Sequence, residues 1–344
     1  MSVSDVAVVI VNYDGERLLP ACLAALAAQT LAPVEIVVAD NGSRDGSLAL
    51  LGAHHPHVRT LRLGHNHGFA GGANRGVAAT QAPWVCVLNS DATPAPDWLE
   101  LLMAAPREQK TWALGSVLVS AKTGRIESAG DQYSPDGYAY KLLRDRRLSE
   151  LPSEPYPVFA APGAAPVFRR DVFDRLGGYE ERFFLYYEDV DLAFRAVLAG
   201  YHALLVPGAR VVHQLGATTR SYAKGRFYVA RNSVWCAVRC LPETGPPRLT
   251  RRWLLELRTN RPRRLVGVEL LGRAAGLVGL PRALHERRAI QDARVPGLDE
   301  LDILLRPPSA VTKVDGRGGG GGGGGGAAGG GGGGGCGGVG AGGG

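Results

Sequence analysis

Glu188, Asp189 and Asp191 place three carboxylates within four residues, directly behind the aromatic run Phe183-Phe184-Leu185-Tyr186-Tyr187 and ahead of a helical pattern. Aromatic walls exclude water, and a carboxylate beside a dry wall holds its proton more tightly and can act in proton transfer. Acids at that position also open helices without any catalysis, because they suit free N–H groups and the positive end of the dipole. Taken alone, the segment supports both readings.

Two further residues invite chemistry. Asp91 closes the run Leu88-Asn89-Ser90-Asp91. A carboxylate there can hold a divalent cation against a diphosphate, or simply form a turn before Ala92-Thr93-Pro94. His213 ends Val211-Val212-His213, as a ligand for a Mn-like cation or as a satisfied core histidine. Asp40 ends another apolar run and can bind a base or ribose, or form an Asx turn.

These residues need elements to place them. Val6–Val11, Val34–Ala39, Val58–Leu63 and Trp84–Leu88 are apolar, β-branched runs of strand length. They alternate with helical patterns at Leu18–Ala28, Gly46–Gly52, Ala73–Thr80 and Trp98–Ala104. That order predicts an α/β fold, a mostly parallel sheet flanked by helices. Ligands of such sheets bind beyond the carboxyl ends of the strands. Here those ends carry Asn12-Tyr13-Asp14, Asp40-Asn41, Asn66 and Asn89-Ser90-Asp91.

From Leu114 to Phe168 the pattern turns irregular, which suggests an acceptor-facing insertion or a mixed sheet edge. A short helix at Asp171–Leu176, a helix over Glu188–Ala199 and extended pieces at Ala203–Pro207 and Ala209–His213 follow. The glycines 68, 71, 72 and 76 lack the G-x-G-x-x-G spacing of dinucleotide folds. Gly68-Phe69-Ala70-Gly71-Gly72 read as a glycine-rich turn that precedes the Ala73–Thr80 helix and brings the backbone close at its N-terminus. Neither a phosphate-binding G-x-x-x-x-G-K-[ST] loop nor a G-x-S-x-G elbow is present.

The 344 residues carry a net charge of +7. Between Arg248 and Arg288 stand eleven Arg against three Glu, a local +8, so the rest of the chain is near neutral. An Arg- and Leu-rich segment with Trp253 reads as an amphipathic element on an anionic membrane surface, or as a solvated face packing on the catalytic unit. Without a recognisable module, nucleic-acid binding is not expected. Cys22, Cys86, Cys236, Cys240 and Cys336 form no CxxC pair and read as free thiols in a reducing compartment. No signal peptide or long apolar span is legible, so the expected location is cytoplasmic, with peripheral attachment to the inner face of the membrane. The expected organisation is a catalytic domain over 1–245, a basic amphipathic helical extension over 246–292, and a linker with a disordered Gly-rich tail over 293–344.

In combination, Val11-Asn12-Tyr13, Val38-Ala39-Asp40-Asn41-Gly42-Ser43, Asn66-His67-Gly68-Phe69-Ala70-Gly71-Gly72-Ala73-Asn74-Arg75-Gly76, Leu88-Asn89-Ser90-Asp91-Ala92, Gly177-Gly178-Tyr179, Tyr187-Glu188-Asp189-Val190-Asp191 and Val211-Val212-His213 resemble a family-2 glycosyltransferase of GT-A fold, rhamnosyltransferase-like. The resemblance implies Mg²⁺ or Mn²⁺, a nucleotide-diphosphate sugar donor (dTDP-rhamnose among the possibilities), a glycan or lipid-linked acceptor and surface-polysaccharide synthesis. It implies donor-binding roles for Asn12, Asp14, Asp40, Asn66, Asn74 and Asn89. Asp91 and His213 become metal ligands and Asp189 the general base beside Glu188. Asp191 and Arg195 fall on the acceptor side. Asn89 departs from the pattern, since the first D-x-D position is usually Asp. A silent sugar-nucleotide-binding or scaffold protein and a nucleotidyltransferase are the alternatives.

Overall fold

The computed structural model describes residues 2–134, 138–214, 222–241 and 263–295, with Gly297 and Val311. Trp253, Pro262, Cys336 and the Gly-rich tail, together with what the sequence predicts for them, lie outside the described residues.

The first half follows the βα alternation. Strands β1 (Val6–Asn12), β2 (Glu35–Asp40), β3 (Arg59–Arg62) and β4 (Trp84–Asn89) pair in parallel in the order β4-β1-β2-β3. Helices α1 (Leu19–Ala27), α2 (Ser47–His54) and α3 (Gly68–Ala78) cross over between them. β1 is apolar throughout because both its faces are covered. Val8 and Ile10 pack with Leu19, Leu23 and Leu51 on one side. Val9 packs with Ala73 and Val77 on the other.

The second half extends the same sheet. After β5 (Ala92–Pro94) and α4 (Trp98–Ala104) come β6 (Thr111–Ser120), β7 (Ile126–Ser128), the hairpin β8 (Asp131–Ser134) and β9 (Tyr138–Lys141), β10 (Tyr156–Val158) and β11 (Val167–Arg169). Helix α5 (Arg170–Arg175), helix α6 (Glu188–Leu198) and strand β12 (His202–His213) follow. The full order is β10-β12-β6-β11-β4-β1-β2-β3, with β5 on β12 and β7 on β6.

Three expectations need correction. The irregular stretch holds β6, a ten-residue strand inside the sheet. Its short antiparallel partners β7 and β11 break the sequence pattern around it. The two extended pieces after residue 202 are one strand, bent by a register shift between Val206 and Arg210. Gly68 to Gly72 lie inside α3 and form its first turns, not a loop ahead of it. They suit a helix pressed on the sheet, since a Cβ at Gly76 would meet Val9 Cγ1 at 2.3 Å.

Helix α7 (Tyr222–Cys240) seals the far side of α6 through Cys236, Ala237 and Cys240 against Phe194 and Val197. Helices α8 (Arg263–Val278) and α9 (Leu280–Asp292) pack on α7 in turn. Trp235 donates its indole N–H to the Gly276 carbonyl at 2.9 Å, and buried Glu269 pairs with Arg226. Cys22, Cys86, Cys236 and Cys240 are buried and free.

Candidate active site

Strand register assembles the rim of a crevice. Asn12 pairs with Asp40 across β1–β2, and Val11 pairs with Asn89 across β1–β4. Polar groups therefore converge where three parallel strands end. β12 runs antiparallel to β5, which sets His213 opposite Ala92 and beside Asp91. Helix α6 presents its N-terminal acids from the facing side. The result is a cavity of about 330 Å³ whose wall includes Asn66, Asn89, Asp91, Glu188, Asp189 and His213.

His213 Nε2 stands 3.2 Å from Asp91 Oδ1, and Nδ1 stands 2.8 Å from Glu127 Oε2. Lys141 Nζ grips the other Glu127 oxygen at 2.5 Å. Burial alone would depress the imidazole, yet Asp91 and Glu127 raise it to about 9. Burial likewise opposes charge on Glu127, but His213 and Lys141 pull it down to about 2. Asp91 Oδ1 is buried and accepts no well-aligned hydrogen bond, and neither does Asn89 Oδ1. The imidazole is thus anchored at Nδ1 with Nε2 turned to an orphaned carboxylate oxygen. One nitrogen and one oxygen donor in that pose fit a Mg²⁺- or Mn²⁺-sized ion. Among the described residues no three His, Cys, Asp or Glu side chains form a metal cluster.

Burial raises Glu188 well above the carboxylate range, and the neighbouring Asp189 charge raises it further. Asp189 is raised too, by burial, though less, because the Val190 N–H donates to its Oδ1 at 2.8 Å and Lys141 lies nearby. Glu188 is raised the further of this pair, so it holds its proton more tightly and Asp189 is the first of the two to ionise. Asp189 Oδ2 lies against the backbone of Gly163, where an added Cβ would stand 2.5 Å away.

The remaining predicted residues divide. Asn66 lines the cavity, and its side-chain oxygen accepts from the Gly68 N–H at 2.8 Å. Asn12 and Asp40 lie buried beneath the wall: Asn12 donates to Asp40 at 3.1 Å and to Ser43 Oγ at 3.0 Å. Asp40 also accepts from the Ser43 N–H at 3.2 Å, so its Asx turn is real. Asp14, at φ +53°, accepts from the Arg44 N–H at 2.7 Å and shapes the same loop.

Asn74, Asp191 and Arg195 lie away from the cavity wall. Asn74 faces a second cavity, because its amide bonds both the N–H and the C=O of Tyr179 at 2.9 and 2.8 Å. Asp191 is fully buried between Arg195, at 2.8 Å, and Arg239, at 3.1 Å. Arg195 spends its other donors on the carbonyls of Leu176 and Gly178. Asp191 and Arg195 therefore anchor α6 and do not form part of the cavity wall.

Glu127, Lys141 and Asp131 are site residues that sequence reasoning missed. Asp131 is pushed up to about 6 by burial, with Asp189 adding to it against Lys141. Nothing local in Gly124-Arg125-Ile126-Glu127-Ser128 marks a site. Only the pairing of β7 on β6, next to β12, brings Glu127 to His213.

Residues 7–177 match the family model described as Glycosyl transferase family 2. Over 238 residues the chain is 34% identical to an N-acetylglucosaminyl-diphospho-decaprenol L-rhamnosyltransferase of Mycobacterium tuberculosis, covering 62% of this chain and 76% of that protein. A pre-mycofactocin glycosyltransferase of the same organism is 29% identical over 63% of this chain and 45% of its own length. GalNAc-T7 solved with UDP, GalNAc and Mn²⁺ superposes with a TM-score of 0.58 at 18% identity, over 80% of this chain and 56% of that one. S. aureus TarS 1-349 with UDP gives 0.51 at 14% identity, over 89% and 90%. The sheet order, the crevice and these likenesses agree, and the chain belongs to glycosyl transferase family 2, with a GT-A fold.

Proposed function

We propose that the chain is a metal-dependent, inverting glycosyltransferase that moves a sugar from a nucleotide-diphosphate donor to a hydroxyl of a lipid-linked or glycan acceptor. The observation that carries this reading is the gathering of Asp91, His213, Glu188 and Asp189 around one cavity. The similarity to the decaprenol-linked rhamnosyltransferase makes dTDP-rhamnose the first donor to test and a prenyl-diphosphate sugar the first acceptor.

Asp91 and His213 would hold Mg²⁺ or Mn²⁺, with Glu127 fixing the imidazole from behind. A divalent cation bound there supplies positive charge against the leaving diphosphate. Asn89 and Asn66 offer neutral polar contacts along the donor, above the Asn12–Asp40–Ser43 loop. Asp189 takes the proton of the acceptor hydroxyl as that oxygen attacks the anomeric carbon from the face opposite the diphosphate. A single displacement inverts the configuration at that carbon. Glu188, held the more strongly in its neutral form, leaves Asp189 as the carboxylate of the pair that would accept the proton.

The proposed organisation keeps a catalytic unit over 1–245 and an extension over 246–292, whose described part is the helix pair α8 and α9. No helix among the described residues is long and apolar enough to cross a membrane. Leu270, Leu271, Leu277, Val278 and Leu284 are exposed, Val278 by 82%, and Ala274 and Pro281 share the outer face of α8 and α9. An outer face of that composition in an Arg-rich segment supports peripheral attachment to anionic lipid at the inner surface of the membrane.

The reading is tested by incubating the protein with UDP-, GDP- and dTDP-sugars, with Mg²⁺ or Mn²⁺ and a short prenyl-diphosphate N-acetylglucosamine. Product with an inverted anomeric centre and release of the nucleoside diphosphate support it. A donor that binds yet gives neither transfer nor hydrolysis would favour a silent binding protein. Flotation with anionic vesicles tests the membrane element: Leu271→Glu with Val278→Glu should abolish it.

A further inference from the structure

The loop that leads into the catalytic helix is strained. Phe184, Tyr186 and Tyr187 have φ of +64°, +68° and +70°, three left-handed residues in four, and none is glycine. Left-handed backbone at aromatic residues persists only where the surroundings hold it. Phe184, Leu185 and Tyr186 form part of the cavity wall. Tyr187 precedes Glu188 and Asp189 directly and starts α6. Whatever holds this loop therefore sets the heading of the proposed base.

The holder sits on α7, outside the cavity. Asn232 is fully buried. Its Nδ2 donates to the carbonyls of Phe183, Leu185 and Tyr186 at 2.9, 2.9 and 2.6 Å. Its Oδ1 accepts from Arg231 Nε at 2.9 Å, which fixes the amide orientation, since the flipped amide would set its oxygen against three carbonyl oxygens. Arg231 Nη2 adds bonds to the carbonyls of Arg182 and Phe183 at 2.9 and 3.0 Å. The fourth loop carbonyl, of Phe184, accepts from the Phe69 N–H at 2.6 Å. The Tyr228 ring stacks on Phe184 at 5.4 Å. Four successive carbonyls thus find donors, and three of them share the two hydrogens of one amide on a remote helix.

We infer that Asn232 is a positioning residue for glycosyl transfer: it clamps the left-handed loop 184–187 so that Asp189 faces the acceptor. The inference rests on the transferase reading above and adds to it a requirement for α7. No other side chain of similar size matches it. Aspartate has the shape but no donor, and leucine offers no hydrogen to the Leu185 and Tyr186 carbonyls.

The test compares full-length wild type with Asn232→Ala and Asn232→Asp. Turnover, donor and acceptor KM, and hydrogen exchange of residues 183–190 are measured, with nucleoside diphosphate and Mn²⁺ binding followed separately. The expected result is a turnover loss of at least about tenfold. Donor KM and diphosphate binding should stay within about twofold, and faster exchange should be confined to the loop and the first turn of α6. If the alanine variant does not fold, Asn232→Ser, which retains one donor, carries the same measurements with a smaller loss. Unchanged turnover in a folded variant with a loosened loop would overturn the inference. So would equal losses of donor binding and turnover. Wild type that binds donor and never transfers would instead refute the underlying reading, while the exchange data would still report whether Asn232 holds the loop.

Discussion

Glu127 reaches His213 Nδ1 at 2.8 Å from behind, while Asp91 faces Nε2 of the same ring at 3.2 Å. The imidazole is thereby fixed in plane, with one nitrogen directed into the cavity. Removing an outer carboxylate of this kind typically costs roughly 10- to 100-fold in metal affinity. Glu127→Gln should weaken Mn²⁺ binding by that much, measured by titration in the presence of nucleoside diphosphate. Asp91→Ala should cost more, because it removes a proposed ligand outright.

His213 and Glu127 give stability a pH dependence when the protein is kept in chelator. His213 is raised from its ordinary value to about 9, so its contribution is complete below about 6.5 and is lost as pH rises through 9. Glu127 is lowered to about 2, so its contribution is complete above the ordinary carboxylate value and is lost as pH falls toward 2. The thermal midpoint should therefore decline between about pH 6.5 and 9. His213→Gln should flatten that decline. A wild-type midpoint that rises over this range would contradict the arrangement.

Gly163 leaves room for the base. A methyl group there would stand 2.5 Å from Asp189 Oδ2, closer than van der Waals contact allows. Gly163→Ala should push the carboxylate aside and lower turnover by on the order of 100-fold, with little change in donor KM, since small displacements of reacting groups are costly. Steady-state kinetics with the donor varied checks both parts.

Asp191 is predicted to matter for folding and not for substrate. It lies fully buried between the guanidinium groups of Arg195 and Arg239. Asp191→Ala would take from Arg195 its carboxylate partner and leave Arg239 with only Glu180 and Glu286, at a cost of about 3 kcal/mol. Urea unfolding should show that loss, while the remaining folded protein keeps its donor affinity.

Much of this was legible in the residues. The apolar runs that became β1, β2 and β4 announce a doubly covered sheet, and their polar ends announce the crevice. Asp91, Glu188, Asp189 and His213 stand at element ends, where a linear pattern exposes them. The rest depended on distance in sequence. Glu127 meets His213 across 86 residues, and Asn232 meets Tyr186 across 46, through pairings that no local period encodes. Asp191 misled for the opposite reason. It shares a helical turn with Asp189, but lies on the buried side of α6, where only the placement of α7 reveals its partner Arg239. The glycines of α3 read as a loop because their helical use depends on how closely the helix meets the sheet.

The central claim is that Asp189 accepts the acceptor proton in a cavity where Asp91 and His213 bind the donor's metal. Asp189→Asn keeps size and shape and removes the basic site, so it is the most direct test. The account expects transfer to fall by at least about 1000-fold, while Mn²⁺-dependent binding of the nucleotide sugar, read as a thermal shift, stays at the wild-type level. Near-wild-type transfer by the asparagine variant would contradict the account.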